Sequence, residues 1–413
     1  MRKPAFYSSL AILTAALAVP RGAAADVRVF DRAASETLPA LSLDLFGWAQ
    51  PRFAWQQHDT RPSVHFEPNP AFTVQSARLG AVAGLGDHAE VHLEVDLARE
   101  IAQPIDAYVV VTPFRRPEAT LQVSLGQLRV PFSRQNLLAA KSRQFADNAY
   151  FVAPKFVVDR DLGVQLGVDL FEGRGRLLAG VFNGNEPGRG QTLNADAWFL
   201  FAGRVEVSPL GRPPRFEGDL RPVADRAKPI VTLGLGAMRN RLEDKSFYRT
   251  YFGADLGFWW QGLSLYAEAY HRTDCPIGQS CPVFFGAPQG SLNPAGITGE
   301  GWNVQAGYFP PLPWLREHLE VAARVQRFDP AREVASPAND AGARDLDQSN
   351  PTWGYLGVQV GGSFYWDRGH DLKLSGSYEI RNETKSCLQG QSGNACTGVI
   401  ANNLLLIQGT AAF

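Results

Sequence analysis

The chain has 413 residues, 45% hydrophobic and 11% aromatic, and its 40 Lys and Arg nearly cancel its 41 Asp and Glu to leave a formal net charge of −1. That balance provides no sequence-wide basic field, so no nucleic-acid partner is expected. No linker, low-complexity tract or shift in composition divides the chain, so one large architecture is expected in place of the two or three domains its length would ordinarily suggest.

At the N-terminus, Arg2 and Lys3 precede a mainly apolar run from Ala5 to Val19 and a small-residue stretch, Ala23-Ala24-Ala25. This order predicts a secretory signal peptide over 1–25, cleaved after Ala25. The run is shorter than the ~20 residues a spanning helix needs, and no long apolar run follows it. Residues 26–40 read as a periplasmic N-terminal segment and 41–413 as a barrel.

Hydrophobic period decides that class. The clearest case is Leu372 to Arg381, where Leu372, Leu374, Gly376, Tyr378 and Ile380 share one face and Lys373, Ser375, Ser377, Glu379 and Arg381 the other. In chain order the predicted strands are 41–55, 73–85, 91–97, 105–113, 119–128, 161–171, 176–183, 197–207, 230–240, 250–260, 263–272, 299–309, 319–326, 352–366, 372–381 and 403–413. Most are near the ~9–11 residues of a tilted transmembrane strand, and sixteen of them predict an all-β, antiparallel transmembrane barrel. A soluble sandwich would bury its apolar faces against one another, whereas here nearly every strand pairs an apolar face with a charged one.

Connector lengths follow the same scheme. With the N-terminus periplasmic, the turns at 86–88, 172–175, 261–262 and 367–369 are short, and 56–72, 129–160, 184–196, 241–249, 273–298, 329–351 and 382–402 are the longer outer loops. Two connectors depart from it: 98–104 is short for an outer loop, and 208–229, rich in Pro and Arg, is long for a periplasmic turn. The four cysteines form two close pairs in outer loops, so disulfides Cys275–Cys281 and Cys387–Cys396 are expected in an exported chain. Neither spacing is C-x2-C and only His271 is nearby, so no metal site and no cofactor are expected.

Aromatic residues such as Trp48, Trp55, Phe171, Trp260, Tyr308 and Trp366 gather near strand ends, where interfacial girdles place them. The chain stops within a strand on Phe413, which resembles the C-terminal signature of outer-membrane barrels. That last strand must pair with the first, from Leu41 onward, to leave no open edge in lipid.

The stretch Gly126-Gln127-Leu128-Arg129-Val130-Pro131-Phe132-Ser133-Arg134 is similar to a segment of the phosphate-selective porin O and P family. Ser208-Pro209-Leu210-Gly211 with Glu217-Gly218-Asp219-Leu220 is similar to another. The resemblance implies an outer-membrane diffusion porin of sixteen strands, usually trimeric, whose third long loop folds inward as a constriction.

On that expectation loop 129–160 supplies the anion candidates Arg129, Arg134, Lys141, Arg143, Lys155 and Arg160 against Asp147 and Asp159. Arg would bind phosphate or other anions through paired hydrogen bonds and Lys as a point charge, unless the loop lies in bulk water. The wall argues the other way: Arg78, Arg204, Arg324, Lys373 and Arg381 face Asp44, Glu94, Asp96, Asp106, Asp169, Glu206, Asp255, Glu268, Glu320 and Glu379. Cross-strand pairs, such as Glu379 with Arg381 on one face, are the ordinary role of such carboxylates. Anion and cation preference both stay open at this level. The expected partners are outer-membrane lipid, small hydrophilic or anionic solutes, and two further copies of the chain.

Catalytic motifs do not appear. There is no G-x-S-x-G elbow, no H-E-x-x-H helix and no complete G-x-G-x-x-G, and His92 beside Glu94 imitates an acid/base pair without a placed nucleophile. No enzyme is expected. The alternatives to a porin are a non-conducting surface barrel and an outer-membrane hydrolase.

Overall fold

The computed structural model describes residues 27–34, 39–57, 70–98, 102–149, 157–184, 194, 198–242, 247–277, 297–334, 353–366, 371–385, 399–401 and 403–413. Its strands are β1 (Val27–Arg32), β2 (Leu41–Gln56), β3 (Ala71–Leu85), β4 (Ala89–Asp96), β5 (Gln103–Arg115), β6 (Ala119–Arg129), β7 (Arg160–Leu170), β8 (Gly175–Phe182) and β9 (Leu200–Val207). They continue with β10 (Ile230–Leu242), β11 (Phe247–Trp260), β12 (Leu263–Pro276), β13 (Ile297–Tyr308), β14 (Leu319–Val334), β15 (Trp353–Tyr365), β16 (Leu372–Lys385), β17 (Val399–Ala401) and β18 (Leu404–Ala412).

From β2 to β16 each strand pairs antiparallel with the next, and β18 closes the ring by pairing with β16 on one side and β2 on the other. The result is a closed sixteen-stranded barrel, with β17 a short outer companion to β16. Phe413 takes part in the closure, its N–H donating to the Gly47 carbonyl at 3.0 Å and its carbonyl accepting from the Gly47 N–H at 3.1 Å. All backbone donors of a lipid-spanning strand need a partner, and these two bonds supply one at Phe413 and one at Gly47.

The alternation is inverted relative to a soluble protein. Outward positions are apolar and exposed, as at Leu125 (60%) and Leu235 (65%), while inward positions are polar and covered, as at Gln305, Glu320, Arg324, Gln359 and Gln408. An apolar outer band around a polar bore is what acyl chains outside and water inside select. Among the described residues no helix is long and apolar enough to cross a membrane.

Local chemistry sets the irregularities. Pro51, Pro104 and Pro113 each sit at or beside a register shift, between β2 and β3, β4 and β5, and β5 and β6, because proline has no N–H to give the ladder. Gln261 and Gly262 both adopt positive φ, 50° and 83°, the two-residue turn whose twist suits a tight hairpin between β11 and β12.

Two expectations change. Residues 27–32 are not merely a leading segment: β1 pairs with the start of β2, Val27 opposite Leu45, and covers the β2 edge that β18 is too short to reach. The two local disulfides are corrected. Among the described residues no disulfide joins two positions: Cys281, Cys387 and Cys396 lie outside them, and Cys275, at the end of β12 opposite Tyr248, is disulfide-bonded. The described barrel is closed by its hydrogen-bond ladder.

Candidate functional site

The connector between β6 and β7 turns inward. Ser133 caps a one-turn helix, Arg134–Leu137, its Oγ accepting from the Asn136 N–H at 3.0 Å and donating to Glu268 on β12 at 2.8 Å. Tyr266 of β12 donates to the other oxygen of Glu268, so one oxygen of this wall carboxylate holds the loop, accepting also from the Arg134 N–H at 3.1 Å, while the other is fixed within its own strand. At the other end of the helix Arg129 donates to the Asn136 and Leu138 carbonyls at 2.5 and 2.7 Å, satisfying acceptors a helix terminus leaves open.

Apolar packing seats the loop against one side of the lumen. Val130, Phe132, Ala149, Val157 and Val158 pack with Phe182, Leu200, Ala202, Met238, Tyr251 and Tyr270, residues of β8 to β12. Gly236 makes this approach possible: a Cβ there would lie 2.7 Å from the Phe132 carbonyl oxygen. Farther along, Gln144 donates to Ser264 (2.7 Å) and Glu320 (2.6 Å), and Asp147 meets Arg52 of β2 at 2.6 Å. Burial works against ionisation of Asp147, but the adjacent Arg52 guanidinium overcomes it and holds the carboxyl below its ordinary value of 3.8. The loop thus reaches from β12 across the bore to β2 and narrows it.

The connector 208–229 also enters the lumen, from the opposite mouth. Glu217 and Asp219 are buried, and Glu217 accepts from Gln135 and from the Gln144 N–H. This accounts for a length the sequence left unexplained: the segment fills space beneath the constriction loop.

The cations gathered from sequence separate into two groups. Arg134 pairs with Glu206 (3.1 Å) and lies over Trp259; Arg160 pairs with Asp106 (2.7 Å) and Asp159 (2.6 Å). Arg204 meets Asp255 at 2.5 Å and Glu206 at 2.9 Å, Arg78 meets Glu94 at 2.7 Å and Asp96 at 3.5 Å, and Arg381 meets Glu379 at 2.9 Å. Arg324 donates to Gln359 and to the Asp147 carbonyl. Asp44 is taken by Arg28 of β1 and Asp169 by Arg176. His92 pairs with Glu90 and stacks on Tyr108, not with Glu94.

The second group has no carboxylate among the described residues within 4 Å. Arg129 donates to carbonyls, Lys373 donates to the carbonyls of Lys141 (3.2 Å) and Arg143 (2.8 Å), Lys141 lies over the Trp48 ring at 5.8 Å, and the buried Arg143 Nε has no hydrogen-bond partner among the described residues. Burial, then the nearby Arg129 charge, press the Arg143 pKa down to about 10, which leaves it cationic at neutral pH. Lys155 lies outside the described residues. Arg52, Gln135 and Gln144 belong to the site and were not singled out from sequence, Glu217 entered only as part of a family-like segment, and Trp48, expected in an interfacial girdle, is instead buried on the inner face with its Nε1–H donating to Ser76 at 3.1 Å; the inward phase of 48, 50, 52 and 54 and the excess length of 208–229 were the signals available.

Among the described residues no cluster of three or more His, Cys, Asp or Glu could hold a metal ion. The fold resembles solved outer-membrane proteins at low identity. OmpT of Vibrio cholerae in its trimer form is 11% identical with a TM-score of 0.55, covering 90% of this chain and 99% of that one. OmpF of Salmonella typhi, in complex with daunomycin, is 11% identical with a TM-score of 0.53, covering 90% and 98%. The outer membrane channel DcaP of Acinetobacter baumannii is 12% identical with a TM-score of 0.52, covering 92% and 99%. No family model matches the chain, and no curated protein matches it. The chain therefore has the fold of an integral outer-membrane β-barrel, resembling known diffusion porins.

Proposed function

We propose that the protein is an outer-membrane diffusion porin that passes small hydrophilic solutes and prefers anions. The observation that carries the preference is the group Arg129, Lys141, Arg143 and Lys373, cationic side chains at the constriction with no carboxylate partner among the described residues. A charge on a narrow, low-dielectric wall weighs more on a passing ion than a charge already matched by its neighbour. Arg is suited to phosphate or carboxylate through paired hydrogen bonds.

Membership of the phosphate-selective porin O and P family is supported by Gly126–Arg134 and by Ser208–Leu220, which both belong to the constriction. On this reading residues 1–25 are a cleaved export signal, the long connectors are extracellular, and three copies assemble. The test is a planar-bilayer reversal potential in a salt gradient. The wild type should favour anions, and replacing Arg129, Lys141 and Arg143 together with Gln should lower the anion-to-cation permeability ratio about tenfold or more, since each removed charge counts for ~1 kcal/mol even at water's dielectric. A cation-preferring wild type sinks the anion reading, and a protein without conductance sinks the porin.

A further inference from the structure

We infer that Glu217 is a positioning residue for the constriction: the turn-side connector pins the inward loop from the opposite mouth and so fixes its two unpartnered cations, an inference that rests on the channel reading above. A hairpin here needs few residues, as Gln261–Gly262 shows between β11 and β12, yet 208–229 spends many to carry one carboxylate up the bore. That carboxylate makes no ion pair among the described residues. One oxygen accepts from Gln135 Nε2 at 2.7 Å and the other from the Gln144 N–H at 2.8 Å. The Glu217 N–H donates to the Ser142 carbonyl at 3.2 Å.

Residues 142 and 144 are therefore held, and they bracket Arg143 and adjoin Lys141. The pin is itself anchored. The Glu217 carbonyl accepts from Trp259 Nε1 at 2.8 Å, and Asp219 accepts from the Gly262 N–H at 3.0 Å while Arg221 donates to it from two nitrogens. A rigid path thus runs from the β11–β12 turn through Asp219 and Glu217 to the loop. A buried, ionised acceptor makes stronger hydrogen bonds than a neutral one, and losing either bond leaves a buried donor unsatisfied.

The hydrogen-bond pattern permits a swap. In Glu217→Gln the single amide oxygen can accept from only one of the two donors, so the new NH2 faces either the Gln144 N–H or the Gln135 NH2, and the second clash is relieved only if Gln135 flips and turns its NH2 toward the Ala149 N–H that it now accepts at 2.7 Å. Adding Gln135→Glu restores a donor opposite an acceptor at every contact with no change in net charge. Amide exchange at Gln144 in detergent-solubilised barrel, read beside open-channel current noise, tests the pin. Glu217→Gln should speed exchange about tenfold, the scale of one charge-assisted hydrogen bond, and raise the noise; the double variant should restore both. Unchanged exchange in Glu217→Gln, or no recovery in the double variant, overturns the inference. If Glu217→Gln does not fold, a folded double variant with wild-type exchange supports the pin and an unfolded one overturns it. A wild type that conducts nothing removes the channel reading alone, because exchange still decides whether Glu217 holds the loop.

Discussion

The two sides of the bore treat the same charge differently. Around β9 to β12 the arginines are matched: Arg204 holds Asp255 and Glu206, Arg134 shares Glu206, and Arg249 meets Asp274 at 2.7 Å. Across the ring, where the loop faces β2, β6 and β16, the matched Arg52 and Arg381 stand beside Arg129, Lys141, Arg143 and Lys373, which rest on carbonyls, on a ring, or, among the described residues, on no carboxylate. Taking a cation out of water without an anion is expensive, so the second group persists only where water or a passing anion solvates it. A tally of wall charges, which favours acids, therefore misreads the field, because matched acids cancel and unmatched cations do not.

If that division is real, stability and selectivity come apart. The largest effect is expected at the matched side: Arg204→Met strands Asp255 and leaves Glu206 to Arg134 alone, which should cost ~3–5 kcal/mol and lower the temperature at which the folded band disappears on gels. No loss there would mean the pairs do not stiffen the wall. Gly236→Val should follow at ~1–3 kcal/mol, because its Cβ must displace the Phe132 backbone and with it the loop's apolar seat. Arg143→Gln should leave stability unchanged or raise it, since it removes a desolvated charge with no carboxylate partner among the described residues, while shifting the reversal potential toward cations. An Arg143→Gln protein that melts early but keeps its selectivity would reverse the two roles.

The strands were legible because period-2 alternation has one reading when both lipid and water must be faced, and all sixteen predicted segments recur with shifted ends. Leu372 to Arg381 kept the faces assigned to it. The site was legible only in part. Sequence placed Arg134, Arg160, Lys141 and Arg143 on one loop, but which of them find a carboxylate depends on residues far along the chain, Glu206 for Arg134 and Asp106 for Arg160. Arg52 and Glu217 escaped for the same reason: their partners, Asp147 and Gln135, lie 95 and 82 residues away. Helical or strand period carries no information on such pairings, whereas an overlong turn at 208–229 was a usable sign of chain entering the bore.

The smallest expected effect concerns the point where the loop touches the unmatched side. Asp147 is held below its ordinary value of 3.8, burial being outweighed first by Arg52 and then by Arg381 and Arg324. A carboxyl with a lowered native value contributes stability that is present above 3.8 and is lost as pH falls through the native value. Single-channel noise in the wild type should therefore stay flat on acidification to pH 4. Replacing Arg52 by Gln removes the largest lowering influence and leaves burial opposed only by the two more distant arginines, so the native value moves up and the noise should rise at a higher pH than in the wild type. An acid response with the same onset in both proteins would show that Asp147 does not hold the loop to β2, and that the unmatched side is left open by the loop rather than framed by it.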